Sequence, residues 1–296
     1  MLSDADVELY LKRVPQRVKT VRDFGDRLRN DPKFHDRQKE LVRELYDSVE
    51  LYESRLQDSL KSGSGVVKSP FRFSLSEAGK AERAEILKLY NDSRLSMHPS
   101  YSWKPKNVFI VDDNSDHGKK FDEYVKQGKG FTRLGFHGTR PSNLLSVCAH
   151  GISSPKSLRA RGLNPPTTGS MFGNISKDGG SGVYIAPSKY DGKGNVTNFP
   201  KGVGAATKSA NYATESGWLG SAGRSGKAYL FVVEVAPGKE CRSSSSESRQ
   251  AFLNRFEKSK EYDSLFVRGD HCNVRNDEMV VPEDRVKIKA VIELDT

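Results

Sequence analysis

The sequence predicts an α+β protein. A helical segment and linker fill residues 1–75, and a second domain of strands and helices fills residues 76–296. Three observations lead there. Val7, Leu11, Val14, Val18, Val21 and Leu28 recur at helical spacing, as do Leu41, Leu45, Val49, Tyr52, Leu56 and Leu60, with charged residues between them. Several later runs are rich in β-branched and aromatic residues, and the most apolar, Ala228–Val235, is expected at the centre of a sheet. These runs do not alternate strictly with helical ones and show no internal repeat, which argues against a doubly wound sheet.

Taken in order, Pro15 marks a break or a start within the first helical run, and Asp31-Pro32 starts a second helix. The two suggest a hairpin or short arm, favoured as a cap on the following domain. Lys61–Gly65 reads as a flexible joint. Ser74-Leu75-Ser76-Glu77 reads as a capped helix start running to Tyr90. Asn107–Val111 reads as a strand and Phe121–Val125 as a short helix. Leu134–His137 is a short apolar run ending on a histidine and a glycine. Pro141 then opens a helix that Gly151 closes. Residues 153–174 read as loop, Gly182–Ala186 as a buried strand, Pro187–Val203 as loop and Ala205–Tyr212 as helix. Leu265–Val267, Glu278–Val281 and Val286–Leu294 complete the strands.

A net charge of +10 and a pI of about 9.4 favour contact with polyanions, and nucleic acid is an open partner through the basic surface. Three scattered cysteines form no CxxC, so a disulfide framework is not expected and a reducing compartment, nuclear or cytoplasmic, is the simplest fit. Cys148 with His150 and His271 with Cys272 match no zinc spacing, so no metal is expected. The N-terminus lacks the apolar core of a secretion signal, and no run reaches the roughly 20 apolar residues of a membrane span. No GxGxxG follows a strand, which argues against a Rossmann nucleotide site.

Five short motifs stand in order along the second domain. They are His137-Gly138-Thr139-Arg140-Pro141-Ser142-Asn143, Thr168–Gly173, Gly182-Val183-Tyr184-Ile185-Ala186, Lys208-Ser209-Ala210-Asn211-Tyr212 and Asn276–Val281. Taken singly, His137 is a satisfied strand-end histidine, Tyr184 and Tyr212 are core aromatics, and Glu278 is a turn carboxylate. Together and in this order they resemble the catalytic domain of the poly(ADP-ribose) polymerases (PARPs), the diphtheria-toxin-like ADP-ribosyltransferases with a His-Tyr-Glu triad. The resemblance covers roughly residues 80–295; the first 75 residues do not visibly match.

That resemblance implies the ADP-ribosyltransferase fold, two packed, mainly antiparallel sheets with flanking helices, and NAD+ as co-substrate, with no metal. It implies cleavage of the nicotinamide–ribose bond through an oxocarbenium-like transition state and transfer of ADP-ribose to protein acceptors, the chain itself included. His137, Tyr184 and Glu278 would be the triad. Gly138 would grip the nicotinamide carboxamide through its backbone, and Ser209 would hydrogen-bond the same group. Tyr212 would stack on the ring with Tyr184 on its other side. His137 would bond a ribose hydroxyl of the adenosine half, with Thr139 and Asn143 on that side. Glu278 would bond the nicotinamide-ribose 2′-OH and stabilise the developing cation. The link from Tyr184 to Ser209 is much longer than in the family, and the inserted Pro187–Ala206, with Lys189, Tyr190, Lys193 and Lys201, is expected to be a lid or substrate-reading loop over the NAD pocket. Arg159 or Arg161 stands where an adenosine-contacting arginine is expected. No counterpart of the autoregulatory helical domain of the DNA-damage-responsive members is recognisable. Chain length of the product stays open, as do two other readings: a nucleic-acid-directed ADP-ribosyltransferase and a non-catalytic NAD-fold binding module.

Overall fold

The computed structural model describes residues 3–13, 20–39, 42, 43, 46, 49, 53, 57, 72–113, 116–127, 131–160, 182–214, 227–259 and 261–296. The chain divides into two compact units, Met1–Lys68 and Ser69–Thr296.

The first unit is helical. Helix α1 (Asp4–Arg13) starts on a reciprocal cap: the Ser3 N–H donates to Asp6 Oδ2 at 2.8 Å, and the Asp6 N–H to Ser3 Oγ at 3.2 Å. Helix α2 (Val21–Asn30) is capped by Thr20, whose hydroxyl accepts from the Asp23 N–H at 3.0 Å. Helix α3 begins at residues 32–39, with the Asp31 carboxylate accepting from the Phe34 N–H at 3.1 Å. The first helical run is accordingly two helices, α1 and α2; Pro15, where a break or start is expected, lies outside the described residues. Val7, Phe24 and Phe34 form the core, with the rings of Phe24 and Phe34 edge to face at 5.1 Å. Of the second apolar stripe only Val49 is described, and it is exposed; Leu41, Leu45, Tyr52, Leu56 and Leu60 lie outside the described residues, as does the Lys61–Gly65 joint.

The second unit is a nine-stranded sheet in the order β1-β2-β9-β5-β3-β4-β8-β7-β6. The strands are β1 (Ser74–Glu77), β2 (Lys104–Asp112), β3 (Arg133–Gly138), β4 (Gly182–Asp191), β5 (Lys227–Val235), β6 (Glu240–Arg242), β7 (Ser264–Val267), β8 (Glu278–Pro282) and β9 (Val286–Asp295). All pairings are antiparallel except β6 with β7. Helices α4 (Lys80–Asp92), α5 (Asp116–Lys126), α6 (Leu144–His150), α7 (Pro155–Ala160), α8 (Ala205–Tyr212) and α9 (Arg249–Lys258) flank it.

The resemblance implies two sheets, and a single hydrogen-bonded order is found because β4 serves both halves. Its first residues pair with β8, from Gly182↔Pro282 to Ile185↔Met279. From Ala186 onward it pairs with β3 instead, through Ala186↔Phe136 and Pro187↔Gly135. The strand alternation sorts the core accordingly. Phe231 and Val233 of β5, Val183 and Ile185 of β4, and Met279 and Val281 of β8 share one cluster. Residues of opposite parity divide into two. Leu230, Val232, Phe136 and Ala186 lie with α4 and α8, while Val280 and Leu265 lie with α9.

Other elements depart from expectation for local reasons. Ser74–Glu77 is an edge strand paired with Phe109–Asp112, not a helix start. Its Ser-x-x-Glu spacing imitates a capping box, but α4 begins at Lys80, where the Glu82 carboxylate accepts from the Gly79 N–H at 2.9 Å. The Pro187–Val203 segment is not all loop. β4 runs on to Asp191, whose carboxylate accepts from the N–H groups of Lys193 and Asn195 at 2.9 and 2.8 Å and closes the turn. Ser188 and Tyr190 are buried, the Tyr190 hydroxyl bonds Asp92, and the Phe199 ring packs on Phe266 at 4.6 Å. The first part of the insertion, up to Asp191, is thus part of the sheet, and residues 192–203 continue as turn and loop with one bridge, Tyr190↔Val196. Residues 153–160 include α7, and α9 is a helix that the sequence pattern does not announce.

Candidate active site

The site residues gather where β4 changes partners. On β3, His137 lies one residue past the Phe136↔Ala186 pair, so His137 and Gly138 have left β4 on one edge. On the other edge they still pair with Phe231 and Leu230 of β5. On β8, Glu278 lies one residue before the Met279↔Ile185 pair. The two therefore flank β4 at adjacent levels, two strand spacings or about 10 Å apart. Glu278 shares the face of Val280, and α8 packs over the neighbouring face of β3 and β4.

Gly138 is required by that packing. A Cβ built there would lie 1.8 Å from the Ser209 carbonyl oxygen, so no side chain fits between β3 and α8. The Ser209 hydroxyl donates to the Phe136 carbonyl at 3.2 Å, fastening the helix to the strand and leaving the oxygen lone pairs as acceptors.

His137 Nδ1 lies 2.8 Å from the Tyr184 carbonyl oxygen. A carbonyl only accepts, so Nδ1 carries the proton. Burial pushes the imidazole pKa down, against a smaller opposing effect of the Tyr184 bond. The ring is thus neutral at neutral pH and presents Nε2 as a bare acceptor, with no hydrogen-bond partner among the described residues. Tyr184 itself packs, partly buried, against the α9-side cluster.

Lys208 of α8 forms an ion pair with Glu278 Oε1, the two side chains being 14% and 13% exposed. Its second oxygen, Oε2, has no partner among the described residues. Tyr212, one turn along α8, is 37% exposed, and its phenol pKa is raised first by burial and then by the charge of Glu278, which places ring and carboxylate near one another. Thr139 and Asn143 are brought together, Asn143 Nδ2 donating to Thr139 Oγ1 at 2.8 Å. The Thr168–Gly173 motif and Arg161 lie outside the described residues, and Arg159 is exposed in the last turn of α7.

A buried polar network, absent from the sequence reading, underlies these residues. His98, just before the turn Pro99–Ser102, lies between Asn211 of α8 and Asn276, two residues ahead of Glu278. The only advance signal was a pair of asparagines inside motifs that gave them no ligand to hold.

Among the described residues, no three His, Cys, Asp or Glu side chains converge as metal ligands, and no helix is long and apolar enough to cross a membrane. Cys148, Cys241 and Cys272 form no disulfide. Compared with known proteins, the chain matches no family model and no curated sequence.

Proposed function

We propose that the protein is an NAD+-dependent ADP-ribosyltransferase of the PARP type, with the ADP-ribosyltransferase fold, that transfers ADP-ribose to protein side chains including its own. The observation that carries this reading is the state of the polar atoms around the β4 crossing. His137 and Glu278 are each anchored through one atom, to the Tyr184 carbonyl and to Lys208, and each has a second acceptor with no partner among the described residues. Ser209 likewise has its proton engaged and its lone pairs available. The set is rich in acceptors. It matches a ligand that offers hydroxyl and carboxamide N–H donors and develops positive charge at a sugar carbon.

In this reading the Gly138 backbone and the Ser209 hydroxyl hold the carboxamide, and Tyr212 covers the ring. His137 Nε2 accepts from a ribose hydroxyl on the adenosine side, near Thr139 and Asn143. The bond from C1′ to the nicotinamide nitrogen breaks with its electron pair leaving on nicotinamide, which departs neutral. Glu278 Oε2 accepts from the ribose 2′-OH, and its negative charge stabilises the oxocarbenium. The acceptor's lone pair then closes on C1′ and its proton is lost to solvent or to the carboxylate. Lys208 holds that carboxylate in place through its bond to Oε1.

The test is incubation of the full chain with NAD+ labelled on the adenosine side, alone, with candidate proteins and with RNA or DNA, beside Glu278→Ala. Label on protein that depends on Glu278 is expected. Label only on nucleic acid would move the acceptor class, a ladder would indicate polymer, and no label anywhere would defeat the transferase reading.

A further inference from the structure

The network beneath the site has a fixed polarity. The Ser100 N–H donates to Asn211 Oδ1 at 3.3 Å, so Asn211 turns its Nδ2 toward His98 Nδ1, also at 3.3 Å. At the far end Asn276 Nδ2 donates to the Val203 carbonyl at 3.0 Å, so its Oδ1 faces His98 Nε2 at 3.1 Å. A backbone N–H can only donate and a carbonyl can only accept. Both amides are therefore oriented from outside, and the ring between them must accept at Nδ1 and donate at Nε2. His98, Asn211 and Asn276 are all buried. Gly204, at φ 78°, leaves no room for change: a Cβ there would lie 2.6 Å from Asn276 Nδ2 and 3.3 Å from His98 Nε2. The Thr207 hydroxyl, accepting from the Leu95 N–H at 3.2 Å, ties the same loop to α8.

Through this network two parts of the site are joined. Asn211 sits between Ser209 and Tyr212 on α8, and Asn276 begins the segment that ends in Glu278. We infer that His98 is a positioning residue, whose neutral, Nε2-protonated ring clamps α8 to the Glu278 strand and fixes the carboxylate against Lys208 and Tyr212. Its bearing on catalysis rests on the transferase reading; its bearing on the position of Glu278 does not.

A second proton on the ring would set an N–H at Nδ1 against the Asn211 N–H, and Asn211 cannot flip without abandoning the Ser100 N–H. Protonation of His98 therefore opens the clamp. Burial is the main cause that holds its pKa below the ordinary imidazole value. Lys208 from α8 and Arg275 from the segment before β8 add to it, while the bond to Asn276 opposes. The clamp is closed at neutral pH and opens on the acid side.

His98→Gln is the discriminating variant, because a carboxamide can accept from Asn211 and donate to Asn276 yet does not titrate. Glutamate-labelled full chain, with Glu278 assigned through Glu278→Gln, reports the carboxyl carbon by NMR, and imidazole nitrogen shifts report the His98 tautomer. The Nε2–H tautomer is expected at neutral pH. The Glu278 signal should move with the His98 titration in the parent protein and not in His98→Gln. In turnover of NAD+, His98→Gln should keep the neutral-pH rate within about threefold and lose the matching acid limb. His98→Leu should lower kcat roughly tenfold or more with KM little changed, the signature of a misplaced group rather than lost binding. An Nδ1–H tautomer, a Glu278 signal indifferent to His98, or an acid limb that survives His98→Gln would overturn the inference. Should His98→Leu fail to fold, His98→Gln decides. Absence of NAD+ turnover in the parent protein would defeat the transferase reading and leave the coupling of His98 to Glu278 to be decided by NMR.

Discussion

Two histidines near the same strand ends use their rings in opposite ways. His137 commits Nδ1 to the Tyr184 carbonyl and leaves Nε2 open beside the place where β3 leaves β4. His98 commits both nitrogens, to Asn211 and Asn276, and sits in a chain of bonds closed at each end by a backbone group. The same side chain, neutral in both places, is by our proposals a contact for a ligand in one and a clamp in the other. The difference is whether a donor or acceptor remains after the protein's own bonds are made. By that criterion Glu278, with Oε2 open, belongs with His137, and Asn211 and Asn276 belong with His98.

Substitutions on the two sides of this divide should differ in kind as well as in size. Glu278→Gln keeps the shape and removes the charge; kcat for NAD+ cleavage should fall about 10²–10³-fold, on the scale of losing one transition-state electrostatic contact, with binding measured by calorimetry little altered. A Glu278→Gln enzyme as fast as the parent would remove Glu278 from the open class. Gly138→Ala forces a methyl into the Ser209 carbonyl. Melting should show a loss of about 1–3 kcal/mol or more, and KM for NAD+ should rise as α8 lifts from β3. His137→Ala takes away an acceptor for a ribose hydroxyl. An increase of roughly tenfold in the Kd for NAD+ is expected, about the 1.4 kcal/mol of one good hydrogen bond, beside a melting loss of about 1–3 kcal/mol from the Tyr184 carbonyl left without its imidazole partner. If His137→Ala and His98→Leu gave the same pattern of kcat and KM, the comparison would fail.

The smallest effect concerns stability and pH. Burial is the main cause that lowers the pKa of His98, His117 and His137 alike. Above the ordinary value of about 6.5 these rings are neutral folded or unfolded and bring no pH dependence. As pH falls below it, the unfolded chain takes up protons that the folded chain refuses, so stability declines until the lowered folded pKa values are reached. Calorimetric melting from pH 7 to pH 5 should show this decline, and His98→Gln should flatten part of it. A melting temperature that rises on acidification would contradict the burial assigned to these rings.

How much of this was legible beforehand depended on how local the determinants are. The run Ala228–Val235 announces a central strand, and β5 indeed lies between β3 and β9. Helix α8 and the closing of α6 by Gly151, at φ 76°, follow from nearest neighbours. β1 was misread because Ser74 and Glu77 mimic a helix cap, while the decisive partner, β2, lies some thirty residues on. α9 has only Phe252, Leu253 and Phe256 facing inward and follows a run of serines, so its period is weak. His137, Gly138, Ser209 and Glu278 stand in compact motifs. His98 does not: its partners are 113 and 178 residues away. A histidine in a loop of prolines and aromatics gives no hint of two buried amides on other elements.

The central claim is that the open acceptors around the β4 crossing serve NAD+ and that Glu278 acts on its bond to nicotinamide. The direct measurement is the release of free nicotinamide from NAD+ by the full chain and by Glu278→Gln, at concentrations where calorimetry shows both to be equally occupied. Release by the parent protein and a loss of about 10²–10³-fold in the variant is the predicted result. Equal rates in the two proteins, or occupancy without release in the parent, would contradict it.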